Sequence, residues 1–175
     1  MRPTKVLVVG VGSRMRGDDT AGPYTIDLLK GMLEEGGGPE DFDLELIDAD
    51  VMPENYTKPM RESGADIIFF VDAVDMGLEP GDLRIVPRDL IDATIPCSHN
   101  LPMSYVMSYV NEKVERVELL GVQIRTAGLF EEMSGEAMEG CSRLADIIMS
   151  GKALDIPVYS KDEKGSDDKA SNYCW

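Results

Sequence analysis

The run Ile67-Ile-Phe-Phe-Val71 admits few folds. It has the length and branching of a β-strand, and with no polar residue at alternate positions both of its faces must be buried. A one-faced antiparallel sheet leaves one face wet, whereas a sheet held between two helical layers does not. Four further runs have strand character: Lys5 to Val9, Leu44 to Asp48, Leu83 to Val86 and Val117 to Ile124. Between them, helices are predicted over Ala21 to Leu33, Glu54 to Glu62, Pro102 to Lys113 and Ser134 to Ser150. The order β-α-β-α-β-β-α-β-α predicts an α/β fold, three layers α/β/α around a mostly parallel, twisted five-stranded sheet. Arg84 inside the fourth run marks it as the edge or antiparallel strand.

A chain of 175 residues suits one core. A single domain is expected over residues 1–157. Beyond Pro157, Ser160-Lys-Asp-Glu-Lys-Gly-Ser-Asp-Asp-Lys169 has nothing to bury, so residues 158–175 are expected to form a disordered charged tail. Its closing Tyr173-Cys174-Trp175 is either an unstructured end or a docking point. The net charge of -16 disfavours nucleic acid and anionic membrane and favours a basic partner or a cation. No apolar run approaches a membrane span and no cleavable leader precedes the first strand, which predicts a cytoplasmic protein. Cys97, Cys141 and Cys174 are widely spaced without a Cys-x-x-Cys pair and read as free thiols. Cys97 stands two residues before the sole histidine, as a local ligand partner or as a small loop residue.

In parallel α/β sheets, ligands bind outside the C-terminal strand ends. Here those ends carry acids. The first strand leads into Gly10-Val-Gly12 and then Asp18-Asp19, the second ends in Asp48-Ala-Asp50, and the third in Asp72-Ala-Val-Asp75. The loop Pro87 to Ser98 delivers His99 to the same edge. Each has a plain structural role available: Asp18 or Asp19 as a helix cap, Asp48 and Asp50 as turn residues, His99 as a surface or capping residue. Met15 stands where a dinucleotide fingerprint needs its third glycine, and the acid pair would repel a phosphate, so that reading is weak. Neither a phosphate loop nor a Gly-x-Ser-x-Gly elbow is present. Two carboxylates and one imidazole from separate loops form an O,O,N set with open positions, which suits zinc or nickel.

Four blocks carry a family resemblance: Gly12-Ser-Arg-Met-Arg-Gly-Asp-Asp-Thr-Ala-Gly-Pro23, Val71-Asp-Ala-Val-Asp-Met-Gly-Leu-Glu-Pro-Gly81, Ser98-His-Asn-Leu-Pro-Met-Ser-Tyr105 and Leu120-Gly-Val-Gln123. In this order the chain resembles the maturation endopeptidases of nickel-iron hydrogenases, most of all the subgroup that processes hydrogenase-3-type enzymes. The resemblance implies a metal site and catalytic centre of Asp19, Asp72 and His99. Two positions depart from the family pattern, Ser13 where asparagine is frequent and Thr20 where glycine commonly follows the acids.

The activity so implied is one cut that removes a C-terminal peptide from the large-subunit precursor after nickel insertion. The nickel is supplied by the precursor, zinc or cadmium can substitute for it, and no organic cofactor is expected. Metal polarisation of the scissile carbonyl or of a water, with a carboxylate as base, would perform the cut. The base stays unassigned, with Asp18 and Asp75 as carboxylates that could support the ligands by hydrogen bonds. A monomer is expected. The alternative is a metal- or precursor-binding assembly chaperone on the same fold that does not cut.

Overall fold

The computed structural model describes residues 2–96 and 100–163. Its sheet has five strands, β1 (Thr4–Gly10), β2 (Phe42–Asp48), β3 (Ile67–Val74), β4 (Leu83–Val86) and β5 (Arg116–Gln123). Their spatial order is β2-β1-β3-β5-β4. Only β4 runs antiparallel, against β5, and it lies at the edge as the arginine inside it predicted. The helices are α1 (Ala21–Glu34), α2 (Thr57–Glu62), α3 (Ile91–Thr94), α4 (Met103–Asn111) and α5 (Gly135–Met149).

Strand alternation sorts the core into two layers. Leu7, Val9, Ile68, Phe70 and Val74 face α2 and α4 together with Met60, Met103 and Met107, while Val6, Val8, Phe69 and Val71 face α1 and α5 with Ile26, Leu29 and Leu144. The apolar run of β3 is buried on both faces, which is the physical reason for the three layers. β1 and β5 flank it, so its backbone is paired on both edges.

The loop expected from Pro87 to Ser98 is not irregular throughout. A 3-10 turn over Arg88–Leu90 leads into α3, and Leu90 and Ile91 are buried against the core. Such short helical pieces have too few turns for an amphipathic period to register in sequence. The helix predicted from Glu54 is α-helical only from Thr57, after a 3-10 turn over Pro53–Tyr56.

The packed chain also continues past Pro157. The Ile85 N–H donates to Pro157 O at 2.9 Å and the Tyr159 N–H to Ile85 O at 2.8 Å, which covers the outer side of β4. Tyr159 is buried, and its hydroxyl donates to Met76 O at 3.0 Å. The expected tail boundary at residue 158 therefore moves outward, because edge pairing and one aromatic ring hold a segment whose sequence is mostly polar. The rest of that tail, with Tyr173-Cys174-Trp175, lies outside the described residues, as does Cys97. Among the described residues no helix is long and apolar enough to cross a membrane.

Two outcomes follow for solution work. Tyr159→Phe is expected to lower stability by about 1 kcal/mol and Tyr159→Ala by about 3 kcal/mol, read from urea midpoints; a tail unpacked from residue 158 onward would show neither loss. Burial pushes the Cys141 thiol up to about 12, so at pH 8 native protein should resist alkylation at Cys141 until it is unfolded, as peptide mass mapping can follow.

Candidate functional site

At the C-terminal end of the sheet three strand tips are tied to one another. The Val11 N–H donates to Val71 O at 2.9 Å, the Gly12 N–H to Asp50 O at 3.0 Å and the Ala49 N–H to Gly10 O at 2.9 Å. The chain then turns back through a 3-10 turn over Gly17–Thr20, which packs against β3 before α1 begins. Two glycines make this approach feasible. At Gly12, with φ +137, a Cβ would lie 1.9 Å from Asp19 O, and at Gly22 one would lie 2.1 Å from Val11 O and 2.5 Å from Val71 O. The first turn of α1 thus sits directly on the strand ends.

That turn carries the adjacent acids, and they separate completely. Asp18 has no exposed surface, and its carboxylate is consumed by the segment between β5 and α5. Its Oδ2 accepts from the Arg125 N–H at 2.6 Å, the Thr126 N–H at 3.1 Å and the Ser134 hydroxyl at 2.9 Å, and its Oδ1 from the Ser134 N–H at 2.7 Å. Asp18 is a strut between two loops. Ser134 also caps α5, accepting from the Ala137 N–H at 3.3 Å. A helix start at Ser134 is legible in sequence, but its bonds to a residue 116 positions away have no local signal.

Asp19 is 3% exposed, and its Oδ2 accepts from the Ser13 N–H at 2.8 Å. Ser13 and Thr20 bond to each other: the Thr20 hydroxyl donates to Ser13 O at 3.2 Å and closes the turn. Asp72 has no exposed surface and stands on β3 opposite Gly121 of β5. It is the first β3 residue beyond the pairing with β1, which ends at Gly10 opposite Val71. Its position in the strand alternation is that of Ile68, Phe70 and Val74, on the face covered by α2 and α4. Its Oδ1 accepts from the Ala73 N–H at 2.8 Å.

The remaining acids are structural. Asp48 Oδ2 accepts from Arg14 at 2.7 Å and its Oδ1 from the Asp50 N–H at 3.2 Å, a turn plus an ion pair. Arg14 also forks onto Asp27 at 2.6 and 3.0 Å, and hydrogen bonds to the two carboxylates hold its guanidinium above its ordinary pKa. Asp50 is exposed at φ +51 and contributes its carbonyl to Gly12. Asp75 Oδ1 accepts from the Gly77 N–H and from Gln123 Nε2, both at 3.2 Å. Gln123 is buried at the end of β5, and its Oε1 also accepts from the Met76 N–H at 2.7 Å. Its sequence signal was its place at the end of the Leu120-Gly-Val-Gln123 block.

His99, like Cys97, lies outside the described residues. The flanking helices end and begin at the strand-tip side of the sheet, where the Asp75 N–H donates to Thr94 O at 2.6 Å. Across the gap, Asp92 accepts from the Ser104 N–H at 3.1 Å and from the Ser104 hydroxyl. Among the described residues no group of three His, Cys, Asp or Glu side chains is arranged to hold a metal.

Comparison with known proteins agrees with this architecture. A family model described as hydrogenase maturation protease matches residues 23–150. The hydrogenase 3 maturation protease of Escherichia coli K12 is 33% identical over 132 residues, covering 75% of this chain and 80% of that protein. The solution structure of the endopeptidase HycI from Escherichia coli superposes with a TM-score of 0.74 at 28% identity, covering 91% of this chain and 99% of that one. A nickel-iron hydrogenase maturation protease from Thermococcus kodakarensis gives 0.71 at 30% identity over 87% of this chain and 94% of that one. The chain belongs to the hydrogenase maturation protease family.

Asp18→Ala should cost on the order of 3 kcal/mol or more in urea unfolding, because it strands several buried N–H donors. Asp48→Ala, which removes an ion pair to a half-exposed arginine, should cost less than about 1 kcal/mol.

Proposed function

We propose that this member of the hydrogenase maturation protease family is an endopeptidase that removes a C-terminal peptide from the nickel-loaded precursor of a nickel-iron hydrogenase large subunit, recognising the bound nickel. The observation that carries this reading is the division of labour at the strand tips. Asp18 is spent on the β5–α5 segment, whereas Asp19 and Asp72, each almost fully buried, stand at the ends of the neighbouring strands β1 and β3.

Asp19, Asp72 and His99 are the side chains that would hold the substrate's nickel. Two carboxylate oxygens and one imidazole nitrogen fit a borderline divalent ion, zinc and cadmium included, and leave positions for groups of the precursor. When bound, the metal supplies polarisation of the scissile carbonyl. The chain's own part is orientation. Asp19 is fixed by the Ser13 N–H and Asp72 by the Ala73 N–H, so both carboxylates keep their directions without paying rotamer entropy when substrate arrives. The covered face of β3 limits water around Asp72, which strengthens every charge interaction there. No organic cofactor is called for.

Incubation with purified precursor, read by mass spectrometry, tests the reading. Nickel-loaded precursor should be shortened once and metal-free precursor left intact. Asp19→Ala, Asp72→Ala and His99→Ala should each lower kcat/KM by about 100-fold or more, roughly 3 kcal/mol of transition-state stabilisation. Equal cutting of metal-free precursor would remove the nickel-recognition half, and a stable complex of unchanged mass would replace the protease by an assembly chaperone.

A further inference from the structure

Large apolar side chains that stay exposed in this protein are not scattered. Met15, Val51, Met52, Leu101, Leu129 and Phe130 are six of the ten found among the described residues, and all six lie on the loops at the C-terminal end of the sheet. Phe130 is 75% exposed, Met15 54% and Leu129 51%. The first two adjoin each other across two loops, for the Phe130 N–H donates to Met15 O at 2.7 Å. The same two loops are joined by the Gly17 N–H to Glu131 O at 3.0 Å, by the Asp18 N–H to Thr126 O at 2.9 Å and by the Asp18 carboxylate. Phe130 also has φ +61, a backbone conformation that bulky residues rarely adopt. The fold therefore holds a phenyl ring outward, at a cost in backbone strain, on a rigid platform beside the acids.

We propose that Met15, Leu129 and Phe130 form a docking surface for the substrate protein, gripping apolar side chains of the precursor next to the segment that enters the acid site. This rests on the protease reading above. The occupant follows from charge and position. A second copy of this chain would bring another -16 to the same face, and that repulsion opposes self-association. A neutral or basic precursor carries no such penalty. The patch also starts two residues from Ser13, whose N–H holds Asp19, so a chain bound across Phe130 is led directly to the acids. A few anchored aromatic contacts of this kind supply much of the affinity in protein interfaces.

The test uses the full chain, calorimetric Kd values for nickel-loaded and metal-free precursor, and cleavage read by mass. Phe130→Gly should weaken binding of both precursor forms at least tenfold while the thermal midpoint stays unchanged or rises, since glycine accepts the positive φ. Phe130→Tyr, which keeps the ring, should bind as wild type does. Asp72→Ala should weaken only the nickel-loaded form, which separates the patch from the acid site. Unchanged Kd values in Phe130→Gly would overturn the proposal. So would a wild-type dimer in sedimentation velocity that Phe130→Gly converts to monomer, because the occupant would then be a second copy. If wild type binds the precursor but leaves its mass intact, the protease reading falls, and the docking surface stands or falls on the Phe130→Gly Kd alone.

Discussion

One buried carboxylate organises the strand-tip end of this molecule. Asp18 has no contact with solvent and accepts four hydrogen bonds from residues more than one hundred positions away. A carboxylate out of water is costly unless its lone pairs are filled, and three backbone N–H groups and the Ser134 hydroxyl fill these. The bond set joins the turn after β1 to the segment after β5. Asp19, the next residue, is thereby left at the strand tips, and the loop carrying Phe130 is fastened to the same support.

The sheet order explains why these parts meet. β1 lies beside β3, and both are parallel, so the loops after them emerge side by side at one edge. In most folds of this type such an edge is lined by glycine-rich backbone for phosphates. Here Gly12 and Gly22 perform the same steric task, allowing α1 to rest on the strand ends, while the side chains that follow are acids. Arg14, three residues before the Gly17–Thr20 turn, is occupied by Asp27 and Asp48 on the outer side.

Much of the fold was legible in the chain. Apolar and β-branched runs located all five strands to within a few residues, that of β3 most sharply because burial on both faces leaves no room for polar positions, and Arg84 marked the edge strand. The short helix α3 was not legible, since four residues span barely one turn. Nor was the packing of Tyr159, an aromatic ring in a polar segment whose partners are the β4 edge and a carbonyl at Met76. At the strand tips, the gathering of acids after β1 and on β3 and a turn role for Asp48 could be read from position alone. Gln123 stood out only as part of the Leu120-Gly-Val-Gln123 block, and its hydrogen-bond work depends on the turn after β3, nearly fifty residues away.

The sequence by itself determined the layer architecture, the edge at which acids gather and the family to which the chain belongs, because periodicity, strand-end position and motif order are properties of neighbouring residues. Only the tertiary structure decided which member of Asp18-Asp19 is strut and which stands at the strand tips. That choice depends on where the Arg125, Thr126 and Ser134 donors lie, and their place is set by the β5 register and the start of α5 rather than by anything near the acid pair.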